Sequence, residues 1–241
     1  MTFVTCPPAV VNLYFLYART SNEVEYRMPQ QKELRLFPLG LVLFPGASLP
    51  LRIFEDRYKV MIGECLDEDK EFGVLLIKEG VEVGGPAQPY SVGTTARILS
   101  AQRLDRGRYN LQTQGEKRFR LLEITQEVPF LMGKVEFLPE EPLQDPGIIL
   151  EEATQLLGEY WKILTSLEGS WIKDLDIPDD PVSLSFAIAQ VVSSPPRVGQ
   201  FLLQMDSAGE RIIRALPLLK ERLQVAKKAL EGKSLSDGRL N

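Results

Sequence analysis

Two cysteines, two short carboxylate runs and one basic cluster are the side chains in this sequence whose types and spacing could do chemistry. Cys6 and Cys65 lie far apart and form no Cys-x-x-Cys, so a four-cysteine zinc site is impossible and a disulfide framework is not expected. A single cross-link between them stays open, but two unpaired thiols in a reducing compartment is the simpler reading. Cys65 falls on an apolar helical pattern and reads as a small packed hydrophobe. The runs Asp67-Glu68-Asp69 and Glu140-Glu141 offer carboxylates, yet acid–base work needs two carboxyls held in different environments. Runs of this kind usually follow an element and face solvent. Lys117, Arg118 and Arg120 could bind an anion, and a solvated strand face is the plainer reading. Gly232-Lys233-Ser234 looks like the end of a phosphate-binding loop, but Lys227 stands where the required glycine would be, and a helix precedes it where a strand is needed. Gly80 to Gly85 is glycine-rich without the Gly-x-Gly-x-x-Gly pattern and reads as a loop.

The chain of 241 residues contains no histidine. Every Ser-His-Asp triad, Cys-His dyad and histidine-ligated metal site is thereby excluded. Gly-x-Ser-x-Gly is also absent, which leaves a Ser-Lys pair as the only plausible nucleophile scheme. No catalytic, cofactor-binding or metal-ligating residue is nominated, and no cofactor is implied. Lys plus Arg is 28 and Asp plus Glu is 33, so the net charge is 28 − 33 = −5. That balance disfavours binding to nucleic acid through its phosphates. Six basic and three acidic residues follow from Pro217 onward, a local excess that a solvated helix face explains as well as a partner does.

The elements that must position these residues change character near Pro139: strands and turns before it, helices after it. Leu34 to Phe37 alternates and is expected to stop at Pro38. Leu41 to Phe44 is apolar and closed by Pro45-Gly46. Leu49 to Phe54 reads as an edge segment, given Pro50. Tyr58, Met61, Ile62 and Leu66 recur at helical spacing and predict a helix over residues 55–66. Strands are expected over 72–77, 93–104, from Tyr109 to a turn at Gly115, over 117–121 and over 130–138, with a loop over 81–90. Many short strands suggest a small barrel or sandwich, since closure removes exposed edges.

Beyond Pro146, Ile149, Ala153, Leu156, Tyr160 and Leu164 predict a helix over 147–167. A short helix follows over 183–192, and Ser194 is expected to cap another with Pro195 at its first position. Ser207 and Glu210 have the spacing of a capping box for a last helix, with Pro217 expected to kink it. Trp161 and Trp171 read as packing residues. Val10 to Leu16 is too short to span a bilayer and has no basic residue before it, so the chain reads as cytoplasmic, with no membrane contact.

A resemblance lies across these elements. Pro38-Leu39, Phe44-Pro45-Gly46, Pro50-Leu51 and Phe54-Glu55-Asp56-Arg57-Tyr58 form a series that resembles the start of the Lon protease N-terminal, substrate-binding domain. Val92-Gly93-Thr94-Thr95-Ala96 is similar to that family's Val-Gly-Thr-x-Ala strand, and Gly115 to Phe119 to its Gly-x-x-Arg-Phe. Gln200 to Asp206 and Glu210-Arg211 are similar to motifs of its helical half. The resemblance implies an α+β fold, a PUA-like twisted β pseudobarrel followed by a C-terminal helical bundle. On this reading residues 1–32 are an N-terminal extension, flexible or ahead of a true start at Met28. Residues 33–139 are the barrel, 140–231 the bundle and 232–241 a flexible tail.

The resemblance also implies recognition without catalysis, because neither the family's Walker loop nor its Ser-Lys protease domain can be found in the sequence. The expected role is a stand-alone protein-binding module for unfolded or client proteins, an adaptor that delivers them to a separate protease. Leu41, Phe44 and Tyr90, apolar residues beside turns, are the nominated substrate-binding patch. The competing readings are a Ser-Lys peptidase or hydrolase and an RNA binder using the PUA-like barrel, the latter disfavoured by charge. Self-association through the apolar stripe of the last helix stays open.

Overall fold

The computed structural model describes residues 30–68, 70–82, 87–141, 143, 147–168 and 177–237. Seven strands come first: β1 (Gln31–Leu39), β2 (Ser48–Ile53), β3 (Glu71–Gly80), β4 (Ala87–Pro89), β5 (Val92–Arg103), β6 (Tyr109–Gln126) and β7 (Leu131–Phe137). Helix α1 (Asp56–Asp67) lies between β2 and β3. Helices α2 (Gly147–Glu168), α3 (Pro181–Val191), α4 (Pro196–Leu203) and α5 (Ala208–Asp237) follow the strands.

The sheet closes on itself. Antiparallel pairing runs β1–β7–β6–β5–β3, and β3 returns to β1 in parallel, with Leu36 opposite Gly73 and Leu39 opposite Leu76. Two parallel strands need a long crossover, and β2 with α1 supplies it. β2 pairs with the first half of β6, and β4 lies outside β3. Phe119 points into the ring with Leu34, Leu36, Leu75 and Val135 as a small separate core. A Cβ on Gly93 would lie 2.3 Å from the Val74 carbonyl oxygen and 2.9 Å from the Phe119 ring, so only glycine fits there. The larger core runs from β1, α1 and β5 into α2, α3, α4 and α5 without a break.

Several expectations are corrected. β1 does not stop at Pro38. Its pairing with β7 ends at Leu36, so one side of the strand is open at Pro38 and the missing N–H disrupts little. Gly115 makes no turn: β6 is one 18-residue strand. Gly115 is glycine because the segment before β2 crosses it. Its N–H donates to the Ala47 carbonyl (2.9 Å), the Gly46 N–H donates to its carbonyl (2.8 Å), and an added Cβ would lie 2.2 Å from the Phe44 oxygen. Within the expected loop 81–90, Ala87–Pro89 pairs with β3.

Pro195, and not Ser194, is the N-cap of α4, and Pro196 is its first residue. At α5 the Glu210 N–H donates to Ser207 Oγ (3.4 Å), while the Glu210 carboxylate lies 3.9 Å from Arg214. α5 continues through Pro217 and on to Asp237, past the expected start of the tail. Ile213 and Pro217 both lie on its exposed side, so water can satisfy the carbonyl that loses its partner. Residues 31 and 32, expected in the extension, belong to β1. Residues 1–29, with Cys6 and Met28, and also Asp69 and Trp171, lie outside the described residues.

Candidate functional site

The residues nominated for chemistry are dispersed into structural duties. The Cys65 thiol donates to the Glu71 carbonyl (3.5 Å) inside the core. Glu64 and Glu68 pair with Arg35 at 3.0 and 2.8 Å. Gly232 to Ser234 are helical, within α5, and form no phosphate-binding loop. Trp161 is half-buried and packs edge-on against Tyr160.

The basic cluster is divided by the bundle. Arg120 is exposed, whereas Arg118 is 1% exposed and saturated. Arg118 pairs through Nε with Glu140 and donates to the carbonyls of Pro139 (3.1 Å), Leu203 (2.9 Å) and Met205 (2.7 Å). Glu140 also accepts from Arg211 (3.1 Å). Arg211 is fully buried, donates to Ser185 Oγ (2.6 Å) and the Leu202 carbonyl (3.2 Å), and stacks 3.9 Å over the Phe186 ring. Two guanidinium groups thus meet the C-terminal carbonyls of α4, where a helix end carries partial negative charge. Burial, with a smaller contribution from Arg118, pulls the Arg211 pKa down to about 10 against the opposing pull of Glu140, so it stays charged at neutral pH. This Arg118–Glu140–Arg211 clamp joins barrel to bundle and is not an anion site.

Phe44 is removed from the nominated surface patch: it is wholly buried, 6.3 Å from Phe186 of α3. Leu41 is 38% exposed and Tyr90 is half-buried, its N–H held by the Leu76 carbonyl (2.9 Å). The turn proline and glycine beside Phe44 hold its backbone against Gly115, which drives the ring inward.

Two of the concavities among the described residues involve the barrel and its junction with the bundle. A narrow cleft of about 300 Å³ lies between barrel and bundle, with Phe137 and Val182 on its walls and Arg118 at its base. A larger groove of about 880 Å³ runs across the barrel between the start of β1's free side, α1 and the β6–β7 turn. Its apolar lining includes Pro38, Tyr58, Ile124, Val128, Pro129 and Leu131. Val128 is 80% exposed and Ile124 40%, so large apolar side chains are held in water there. Tyr58 packs beneath, its ring 4.1 Å from that of Phe37 and 4.6 Å under Arg57. Burial raises the Tyr58 hydroxyl above the ordinary phenol range, so it is neutral. The sequence reading missed this groove. Its one signal was a large aliphatic residue, Val128, inside a turn between Glu127 and Pro129.

The closed ring, the crossover helix and the clamped bundle have counterparts. Residues 33–221 match the family described as the ATP-dependent protease La (LON) substrate-binding domain. The chain belongs to this family. Among its Lon relatives, Lon protease 2 of Myxococcus xanthus is 27% identical over 200 residues, which is 80% of this chain and 24% of that protein. The Lon protease of Anaeromyxobacter dehalogenans (strain 2CP-C) is 27% identical over 199 residues, with the same coverage of 80% and 24%. This chain therefore spans about a quarter of the length of the Lon proteases it matches. A Lon N-terminal domain protein from Xanthomonas campestris, known from its crystal structure, superimposes with a TM-score of 0.56 at 27% identity, covering 77% of this chain and 98% of that one. The N-terminal domain of a Mycobacterium avium complex Lon protease shares the fold, with a TM-score of 0.54 at 20% identity over 78% of this chain and 98% of that one. The α+β Lon N-terminal fold is thus established. Arg118 and Arg211 stand in the Lon-like motifs Gly-x-x-Arg-Phe and Glu-Arg, and here both motifs build the clamp. Among the described residues, no helix is long and apolar enough to cross a membrane.

Proposed function

We propose that this chain is a non-catalytic recognition module that holds exposed apolar segments of client proteins in the barrel groove, as an adaptor serving a separate protease. The observation that carries the reading is the groove itself, where Val128 and Ile124 keep apolar surface in water beside the Tyr58 floor. A groove that keeps large apolar side chains in water suits binding of exposed apolar segments of unfolded chain. Membership of a substrate-binding family supports the same reading.

The test is fluorescence anisotropy with reduced, carboxymethylated α-lactalbumin as an unfolded client and native α-lactalbumin as control. Binding of the unfolded form alone, weakened by V128S combined with I124S, is expected. Casein incubated with the protein and ATP should stay intact. Equal binding of both forms, or casein cleavage that survives repurification, would reject the proposal.

A further inference from the structure

The groove has a charge pattern as well as an apolar floor. Glu55, Glu79 and Glu127 line it, and Glu82 lines a recess that shares Glu55 and Tyr58 with it and also holds Phe54. Arg57 lines it too, but it is committed to Glu55 at 3.0 Å. Glu82 accepts from the Gly40 N–H (2.8 Å). Glu79 and Glu127 form no ion pair among the described residues, and they stand on different strands and turns, β3 and the β6–β7 turn. The groove is thus apolar at its base and acidic at its borders. Phe54, 51% exposed, extends the apolar track into the recess.

Resting on the client-binding reading above, we propose that the groove selects one class of segment: an extended apolar stretch flanked by Lys or Arg. The apolar side chains lie against the exposed Ile124 and Val128, while the flanking cations meet Glu79 and Glu127. An acidic border repels segments flanked by Asp or Glu and attracts basic ones, so charge sets the choice and apolar burial sets the basal affinity. Recognition proceeds through side chains, not through strand addition, because the neighbouring edge strand β4 has three residues and includes Pro89, which blunts an edge. Overall acidity of the chain agrees with this preference but does not localise it; Glu79 and Glu127 on the groove border do.

The experiment uses the full chain and three labelled peptides with one common apolar centre, Leu-Phe-Val-Leu, flanked on both sides by two lysines, two serines or two glutamates. Anisotropy titrations are run at about 50 mM and about 500 mM salt. Two exposed ion pairs favour the lysine-flanked peptide over the serine-flanked one by about fivefold at low salt, and the gain shrinks at high salt. E79Q combined with E127Q, two surface substitutions that break no ion pair among the described residues, should bring the ratio of lysine-flanked to serine-flanked affinity at low salt down to about one. Equal binding of all three peptides overturns the charge inference and leaves the client-binding reading standing. A lysine preference that persists in E79Q/E127Q overturns the assignment to this groove. Failure of all three peptides, with unfolded α-lactalbumin also unbound, removes both.

Discussion

Replacing Arg118 with methionine tests whether the clamp is what makes barrel and bundle one cooperative unit. Methionine fills much of the same volume but withdraws every donor. The Pro139 and Leu203 carbonyls lose their Arg118 partner, and Glu140 keeps only Arg211. Removing one partner of a buried charge network costs about 3–5 kcal/mol, since the surviving polar groups are left desolvated. With a urea dependence of about 3 kcal/mol/M, the unfolding midpoint should fall by about 1–1.7 M. The sites of tryptophan, Trp161 and Trp171, both follow the barrel in sequence, so tryptophan fluorescence reports on the helical half while far-UV circular dichroism reports on both. In the parent protein the two signals should give coincident transitions. In R118M they should separate, as expected when a two-state unit divides. R118K keeps the charge but offers no planar fork, and should fall between the two. A midpoint shift below about 0.3 M with transitions still coincident would refute the clamp as the source of coupling.

Other outcomes follow from single contacts. Asp180 caps α3 by accepting from the Ser183 N–H (2.8 Å), and that bond holds its carboxyl below the usual carboxylate range. D180A should cost about 1 kcal/mol at pH 7 by urea denaturation. Because the folded carboxyl binds its proton less readily than the unfolded one, this contribution is complete above the ordinary Asp pKa and fades as pH falls through the depressed value, so wild type and D180A should converge in acid. G115A forces a Cβ against the Phe44 carbonyl and should lower stability by about 1–3 kcal/mol, read as a fall in melting temperature; an unchanged value would mean the segment before β2 can shift freely. F44A should cost about 3–5 kcal/mol as a core truncation, whereas V128S should change stability by no more than about 0.5 kcal/mol while weakening client binding. If F44A leaves stability intact and abolishes binding, Phe44 belongs to the surface patch after all.

Local signals carried much of the fold. Helical spacing located α1 at Tyr58, Met61 and Ile62, and located α2 within a residue of its ends. These periodicities are local, and the bundle buries the same stripes that they mark. The motif series around Phe44-Pro45-Gly46 and Phe54 to Tyr58 led to the Lon N-terminal family from sequence alone, because turn prolines and glycines at close backbone crossings tolerate few replacements. Errors came where a residue's local preference met a distant partner. Gly115 looked like a turn because glycine permits one, but the demand came from the Phe44 carbonyl, 71 positions away in the chain.

Composition by itself determined what this protein cannot do with histidine, and pattern by itself determined that a strand-rich half precedes a helical one. Only the tertiary structure decided which side chains meet water. Arg118 and Arg120 are two residues apart on one strand, yet one is sealed under α4 and the other is exposed. Phe44 and Val128 are both apolar residues beside prolines, yet one fills the core and the other stands at the groove. Exposure is set by what the rest of the chain lays over a residue, and that long-range packing is written in no local window of sequence.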